Sequence, residues 1–153
     1  MKGHVGAVIY KLVDDIPYFL IQGVKWFDSR RDELVVDFKF PGGGKKYEEK
    51  SLITLRREIH EELWLDLSED FNQPPFFGPT EVSYPREYYL IHIEALKGKL
   101  RDRPIPDGPH DLLLRPEWVT KGILELPGFL FYTHVPVYEA ALEELSKTAS
   151  LMI

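Results

Sequence analysis

The sequence predicts a single α/β domain over residues 1–153, in which a central mixed β-sheet lies between helices. The length suits one domain with a substantial core. Segments of alternating apolar and polar residues, typical of strands, occur before and after the middle of the chain. Two segments with helical periodicity, within residues 42–65 and 135–149, are separated by such strands, and this order favours a three-layer α/β/α arrangement.

Composition and charge narrow the class of protein. Hydrophobic residues make up 44% of the chain, as in an ordinary globular protein, and no apolar run approaches the roughly 18 residues of a membrane helix. The N-terminus lacks the features of a signal peptide. The formal net charge of −6 argues against stable nucleic-acid binding, which requires a basic surface. The absence of cysteine excludes disulfides and is compatible with the cytoplasm, the location that we expect.

Three strands are expected in the first part of the chain. Residues 4–12 and 18–25 alternate in polarity on either side of the turn signal Asp14-Asp15-Ile16-Pro17, which predicts a hairpin. Residues 34–40 form a third strand, which Pro41 and the following glycines end.

Two basic residues near these strands are candidate phosphate contacts. Arg30 lies in a charged segment that is interpreted as a loop. Lys39 lies near the end of the third strand, on the face opposite Phe38 and Phe40. At both positions the alternative is a basic side chain that is simply solvated.

Residues 42–65 begin with three glycines and continue as an amphipathic helix. Residues three and four apart share a helix face, so Glu58, Glu61 and Glu62 project together. Such a group of carboxylates suits a hard divalent cation such as Mg²⁺ or Mn²⁺. The alternative is an acidic helix face that is only solvated.

The spacing of further residues in this stretch resembles the Nudix box, Gly-x5-Glu-x7-Arg-Glu-aliphatic-x-Glu-Glu-x-Gly-aliphatic. The matching residues are Gly43, Glu49, Arg57, Glu58, Ile59, Glu61, Glu62 and Leu65. One position departs, because Trp64 stands where the box has its second glycine. Tryptophan adopts the left-handed conformation of a helix-ending glycine only at a cost. The helix therefore either continues into residues 66–70 or ends with a different cap.

The resemblance implies a Nudix-type α/β/α sandwich and a hydrolase that cleaves a phosphoanhydride bond in a nucleoside diphosphate linked to another moiety. It implies Mg²⁺ or Mn²⁺ as cofactor, with more than one ion in the site. The ligands that it implies are Glu58, Glu61, Glu62 and the backbone carbonyl of Gly42, and Gly43 would contact the substrate. A nucleotide-type small molecule is the expected partner, and homodimers are frequent in the family.

Further roles follow from the same resemblance. Arg57 would pair with Glu49, a structural residue of the box, and would orient Glu58. A carboxylate near a metal-bound water would remove its proton, and Glu58 is the first candidate for this general base. The second candidate is Glu117, because the pair Glu117-Trp118 is similar to a feature of several Nudix hydrolases.

The part of the chain after the box is predicted to contain more strands, a loop and a closing helix. Residues 81–84 and 87–96 are interpreted as strands, and His92 within the second is interpreted as a structural histidine. Residues 97–114 are charged and rich in proline, which predicts a long loop. Asp107 and Asp111 in this loop are rivals of Glu117. Residues 135–149 have the spacing of a helix that covers the sheet.

One alternative function stays open at this level. A non-catalytic nucleotide-binding or regulatory Nudix domain would have the same fold, and Trp64 at the glycine position is the feature that favours it. The box itself does not specify which nucleotide is bound, since that depends on loops outside it.

Overall fold

Strands β1 (His4–Val13) and β2 (Ile16–Asp28) form the predicted hairpin in the computed structural model, which describes residues 3–78 and 85–147. The chain turns at Asp14 and Asp15, which both have positive φ angles, a conformation that aspartate tolerates better than most residues. The second strand is longer at both ends than the sequence predicts. This length lets β2 pair with several neighbours.

The other strands are shorter than β1 and β2. The strands are β3 (Glu33–Lys39), β4 (Gly42–Gly44), β5 (Asp66–Leu67), β6 (Arg86–His92), β7 (Leu96–Lys97), β8 (Ile105–Asp107), β9 (Asp111–Leu113) and β10 (Glu117–Thr120). The α-helices are α1 (Ser51–Leu63), α2 (Lys121–Leu124) and α3 (Val135–Ser146). In the described part of the chain, no helix has the length and apolarity that crossing a bilayer requires.

Most of the strands belong to one mixed sheet. Strands β4, β1, β2, β9 and β8 follow each other in hydrogen-bonded order, with β3 and β10 also paired to β2. Strand β6 pairs with β1 in parallel, whereas the other pairs are antiparallel. Strands β5 and β7 form a separate small ladder beside α1. The prediction of a mixed sheet is confirmed.

The two long helices cover opposite faces of this sheet. Alternate residues of β1 divide between two cores: Ala7 and Ile9 pack with α1, while Val8 packs with α3. In β2, Leu20 belongs to the α1 core, and Phe19 and Ile21 belong to the α3 core. Successive side chains of a strand point to opposite faces, so this division follows from the apolar runs of the two strands. The prediction of an α/β/α sandwich is confirmed.

Helix α1 ends at Leu63 and does not continue into residues 66–70. Trp64 adopts the left-handed conformation itself, with φ 63° and ψ 26°, and its backbone N–H donates to the carbonyl of His60. The indole ring lies 5.4 Å from the guanidinium of Arg103, so contact with the loop accompanies the unfavourable backbone conformation.

The sequence-based prediction was wrong in three segments. The long loop predicted over residues 97–114 contains the β8–β9 hairpin, which turns at Gly108 with φ 75°. The strand predicted over residues 87–96 ends at His92, because its Nδ1 accepts the N–H of Glu94 and starts a 3₁₀ turn. The glycines after Pro41 form strand β4 against β1 rather than a loop.

Two other predictions reach beyond the described residues. The strand predicted over residues 81–84 lies outside them. The closing helix is described from Val135 to Ser146, and the predicted end at residue 149 also lies outside.

Candidate active site

A cavity of about 460 Å³ is lined by residues of α1 and also by residues of the α3 core, and we call it the polar cavity. Its lining comes from β1 to β4, α1, the β8–β9 hairpin, β6 and the 3₁₀ turn that precedes α3. The residues are His4, Gln22, Val24, Lys39, Phe40, Gly42, Gly43, Gly44, Glu58, Glu62, Arg86, Tyr88, Asp107, Leu113, Thr133 and His134.

Strand alternation helps to decide which side chains of β2 and β3 reach this cavity. Gln22 and Val24 share a face of β2 with Leu20 of the α1 core, whereas Gly23 shares the other face with Ile21. Lys39 is the Cα partner of Gln22 across the β2–β3 ladder, and residues directly opposite each other share a face. The structure therefore brings Lys39, a predicted substrate contact, into the polar cavity.

Glu62 is the most enclosed carboxylate of the polar cavity. Its Oε1 accepts hydrogen bonds from Nε2 of Gln22 and from the N–H of Gly42, both at 2.9 Å. Loss of hydration, followed by the negative charges of Glu58 and Asp107, raises the pKa of Glu62 to about 8. The charged form of this side chain is therefore short of a compensating cation.

Arg57 lies between two carboxylates of the box. Its Nε and Nη2 donate to Glu49 at 3.1 and 2.8 Å, and its Nη1 donates to Oε1 of Glu58 at 2.8 Å. Hydrogen bonds from Arg57 hold the pKa of Glu49 far below its usual range. Burial raises the pKa of Glu58 in spite of its bond to Arg57, and the charges of Glu61 and Asp107 act in the same direction. Arg57 thus fixes the orientation of Glu58 without cancelling its desolvation.

Gly43 explains why the box has a glycine at its first position. A Cβ atom on Gly43 would lie 2.3 Å from Oε1 of Glu58, closer than any side chain permits. A residue other than glycine would displace the carboxylate.

Glu61 lies at the rim of this group. Its side chain is 55% exposed, and Oε2 is 3.6 Å from Nη1 of Arg57. It is close to Glu58 along the helix but does not line the polar cavity.

The β8–β9 hairpin contributes a further carboxylate, Asp107. It lines the polar cavity, and its charge helps to raise the pKa of both Glu58 and Glu62. Asp111 is its Cα partner across the hairpin and is not part of the lining. Of the three rivals for the role of second base, Asp107 is the one that the structure places near Glu58.

Glu117 lies on the opposite face of the sheet. It pairs with Ile21 in the β2–β10 ladder and lines a second cavity, of about 700 Å³, which we call the apolar cavity. Its Oε1 accepts a hydrogen bond of 2.9 Å from Nη2 of Arg115. The structure does not bring Glu117 together with the box carboxylates.

Arg30, another predicted substrate contact, is also distant from the polar cavity. It lies in the β2–β3 turn with a side chain 87% exposed, 3.7 Å from Asp28. It lines neither cavity.

Two histidines of the polar cavity were not singled out from the sequence. Nδ1 of His134 accepts the N–H of Phe40 at 3.1 Å, and its Nε2 lies 3.4 Å from the hydroxyl of Tyr88. Burial, followed by the charge of Arg86, lowers the pKa of His134 to about 3 and that of His4 to about 4. Both imidazoles are neutral at pH 7, and no sequence pattern distinguishes them.

The oxygen donors of the polar cavity suit a hard cation. Among residues 3–78 and 85–147, no three carboxylate or imidazole groups already surround one point as metal ligands. Glu58 and Glu62 nevertheless have raised pKa values, mainly because burial disfavours their charged forms and also because neighbouring carboxylates add negative charge. A divalent cation would stabilise the charged forms, and carboxylate oxygen is the ligand type that Mg²⁺ prefers.

Comparison with known proteins identifies the fold. No family model and no curated protein sequence matches this chain. Its structure is similar to a MutT structure from work on Aliivibrio salmonicida and Vibrio cholerae, with a TM-score of 0.59 and 19% identity over 93% of this chain and 98% of that one.

Two further structures extend the likeness. A Nudix hydrolase from Nitrosomonas europaea has a TM-score of 0.60 and 16% identity, covering 95% of this chain and 88% of that one. An Ap4A hydrolase from C. elegans has a TM-score of 0.53 and 14% identity, covering 94% and 97%. The chain therefore has the fold of the Nudix hydrolases over nearly its whole length.

Proposed function

We propose that this protein is a Nudix hydrolase that uses Mg²⁺ or Mn²⁺ to cleave a phosphoanhydride bond in a nucleoside diphosphate linked to another moiety. The observation that carries the proposal is the position of Glu58 and Glu62. Both box carboxylates line one cavity of this fold, with Lys39 and the glycines of β4 in the same lining. Carboxylates for a cation and an ammonium for a phosphate are the groups that such a reaction needs.

Glu58, Glu62 and Asp107 are the residues that would hold the metal, with Glu61 joining from the rim. Gly42 lies beside them in the lining, and its carbonyl is a further ligand in our proposal. The bound ions, more than one in our proposal, would neutralise charge on the diphosphate and lower the pKa of the attacking water.

Arg57 and Glu49 would orient the catalytic carboxylate. The guanidinium holds one oxygen of Glu58 and leaves the other for a metal or a water. Glu49 in turn fixes the guanidinium through two hydrogen bonds. In this arrangement Arg57 sets a geometry and does not touch the reacting atoms.

Glu58 remains the first candidate for the general base. For the second candidate we now prefer Asp107 over Glu117, because a base must come within hydrogen-bond reach of the water that it deprotonates. Asp107 lines the same cavity as Glu58, whereas Glu117 lines the apolar cavity.

Lys39 and Gly43 would contact the substrate phosphates. Nζ of Lys39 lies 4.6 Å from the centre of the Phe131 ring, which holds the ammonium at the cavity wall. Gly43 leaves room for the chain to approach Glu58 closely. Arg30 does not line the polar cavity, and we do not assign it a role in substrate binding.

The non-catalytic alternative depended on Trp64. Because Trp64 adopts the left-handed conformation at the end of α1, the substitution leaves the helix and its carboxylates in place. We therefore favour the hydrolase over a domain that only binds a nucleotide.

Hydrolysis of a substrate panel tests the proposal. The panel contains nucleoside triphosphates, ADP-ribose, dinucleoside polyphosphates and nucleotide sugars, each with Mg²⁺, with Mn²⁺ and with chelator. We expect metal-dependent turnover of one class and its loss in Glu58→Gln. Glu117→Gln serves as a matched control, because it makes the same change on the other face of the sheet. Ligand binding without turnover across the panel would overturn the proposal in favour of the binding domain.

A further inference from the structure

Arg101 is the largest of the fully buried side chains among the described residues, with 1% of its surface exposed. It lies between β7 and β8, outside the box and outside both cavity linings. A guanidinium is expensive to bury unless its donors are all satisfied and its charge is compensated. The hydrogen-bond partners of Arg101 therefore indicate which part of the structure its burial stabilises.

One set of partners belongs to the end of α1. Nε of Arg101 donates to the carbonyl of Glu62 at 2.6 Å, and its backbone N–H donates to the carbonyl of Leu63 at 3.0 Å. Nη2 donates to Oε1 of Gln22 at 3.0 Å. Gln22 in turn donates Nε2 to Oε1 of Glu62. Arg101 thus holds the main chain of Glu62 directly and its carboxylate through one amide.

The other set of partners belongs to the hairpin that carries Asp107. Nη2 donates to the carbonyl of Leu114 at 2.9 Å, and Nη1 donates to the carbonyls of Leu113 and Arg103. These residues lie on both sides of the β8–β9 hairpin. One rigid guanidinium therefore joins the helix end that carries Glu62 to the hairpin that carries Asp107.

We infer that Arg101 is a positioning residue, which sets the distance between Glu62 and Asp107 so that both can hold one metal centre, with Gln22 as the link to the Glu62 carboxylate. The inference rests on the proposed function. Arginine suits this task because its planar fork donates in several fixed directions at once, which the single ammonium of lysine cannot do. Arg101 acts through its neighbours and does not contact substrate.

Arg56, on the helix that carries Glu62, offers a matched control. Its guanidinium also donates to backbone carbonyls, those of Leu67 and Ser68 at 2.7 and 2.9 Å. Neither partner lines the polar cavity. Replacing Arg56 by lysine removes a comparable guanidinium without changing a contact of Glu62 or Asp107. The variant therefore measures what the loss of such hydrogen bonds does to stability alone.

The experiment measures Mn²⁺ affinity from the electron paramagnetic resonance signal of the free ion, together with Tm. The proteins are the wild type, Arg101→Lys, Gln22→Met and Arg56→Lys. We expect Arg101→Lys and Gln22→Met to weaken Mn²⁺ binding by about 10-fold or more, as is usual when a ligand loses its supporting partner. Arg56→Lys should change the affinity less than about twofold, even where Tm falls.

Each outcome is decisive. Unchanged Mn²⁺ affinity in Arg101→Lys and Gln22→Met, with a binding wild type, overturns the inference and leaves the proposed function standing. A wild type that binds no Mn²⁺ overturns the proposed function and this inference with it. Gln22→Met keeps the total charge and the buried arginine, so unchanged Mn²⁺ affinity in this variant overturns the inference even if Arg101→Lys does not fold.

Discussion

The two cavities adjoin along one strand, β2, and their linings otherwise have little in common. In β2, Val24 lines the polar cavity, Ile21 and Gly23 line the apolar cavity, and Gln22 lines both. The polar cavity contains three carboxylates, two basic side chains and two histidines. In the apolar cavity the charged side chains Asp102, Arg115 and Glu117 accompany an otherwise mostly apolar lining. The chemistry available to each cavity thus depends on which side chains of this shared strand reach it.

The two linings also differ in how their side chains are held. In the polar cavity, hydrogen bonds fix the carboxylates: Gln22 and Gly42 hold Glu62, and Arg57 holds Glu58. In the apolar cavity, packing dominates, as in the parallel stack of Phe38 and Phe129 at 4.6 Å. The surroundings of a carboxylate therefore depend more on the cavity that it lines than on its distance in sequence from a recognised motif.

The largest expected effect is a loss of activity, which should follow a change in the polar cavity and not the same change in the apolar cavity. Glu62→Gln should lower kcat/KM by about 10³-fold, since it removes a proposed metal ligand, which corresponds to about 4 kcal/mol of transition-state stabilisation. Glu117→Gln should stay within about threefold of the wild type, because Glu117 lines the apolar cavity and not the proposed metal site. Steady-state kinetics on the substrate found with the panel measures both. A large loss in Glu117→Gln would contradict the assignment of the two faces.

The second effect concerns acid stability, which we attribute to the histidines of the polar cavity. Folding lowers the pKa of His134 from an ordinary value of about 6.5 to about 3, mainly through burial. The folded state thus favours the neutral imidazole. The stabilisation is complete above pH 6.5 or so and is lost as the pH falls towards 3. For this one group the loss between pH 7 and 4.5 is about 2–3 kcal/mol.

His134→Asn isolates this contribution. The asparagine oxygen can accept the N–H of Phe40, as Nδ1 does in the wild type, and it does not titrate. Glu62 changes stability in the opposite sense, because its raised pKa favours the folded state in acid. The quantity to measure is therefore the difference between the urea unfolding free energies of variant and wild type at each pH. A difference that does not change between pH 7 and 4.5 would show that His134 is not the acid-sensitive group.

The third effect distinguishes the two acidic residues of the β8–β9 hairpin. Asp107→Asn should weaken metal binding or raise KM by about tenfold, because it removes negative charge from the polar cavity. Asp111→Asn makes the same change one step across the hairpin and should have an effect of less than about twofold. Titration with Mn²⁺ and kinetics at limiting metal measure the two. Equal effects of both changes would mean that net charge matters rather than position.

The smallest effect concerns Trp64, whose ring contacts the guanidinium of Arg103. The residues on either side of Arg103 in the sequence, Asp102 and Pro104, line the apolar cavity. Trp64→Ala and Trp64→Gly both remove the indole, but only glycine is relieved of the left-handed conformation. We expect the glycine variant to be more stable than the alanine variant by about 1 kcal/mol. Thermal unfolding of the two proteins tests this. Equal stability of the two variants would show that residue 64 does not have the left-handed backbone conformation described above.

The sequence was sufficient for the arrangement of layers and for the elements with strong periodicity. The hairpin of β1 and β2 follows from alternation around two aspartates, and α1 follows from its apolar stripe and the box spacing. The β8–β9 hairpin was missed because strands of three residues are too short to show a period. The Asp107-Gly108 pair was the one available signal, since Asp-Gly is typical of tight hairpins.

The candidate site was predictable only where local spacing determines it. Glu58 and Glu62 share a helix face whatever the rest of the chain does. Gln22, Arg101 and His134 come to Glu62 or to its cavity through long-range packing, which a single sequence does not reveal. The sequence could not show that Glu117 lines the other cavity, because its face depends on the register of β10 against β2.

The shared wall between the cavities has an evolutionary consequence. Gln22 lines both cavities, so a substitution there would alter both, whereas substitutions at Ile21 or Gly23 can reshape the apolar cavity alone. Insertions and deletions have no such freedom. Loss of a single residue before Gln22 would turn the amide away from Glu62 and expose an apolar side chain to the carboxylates. We therefore expect β2 to vary in composition among related sequences, but not in length.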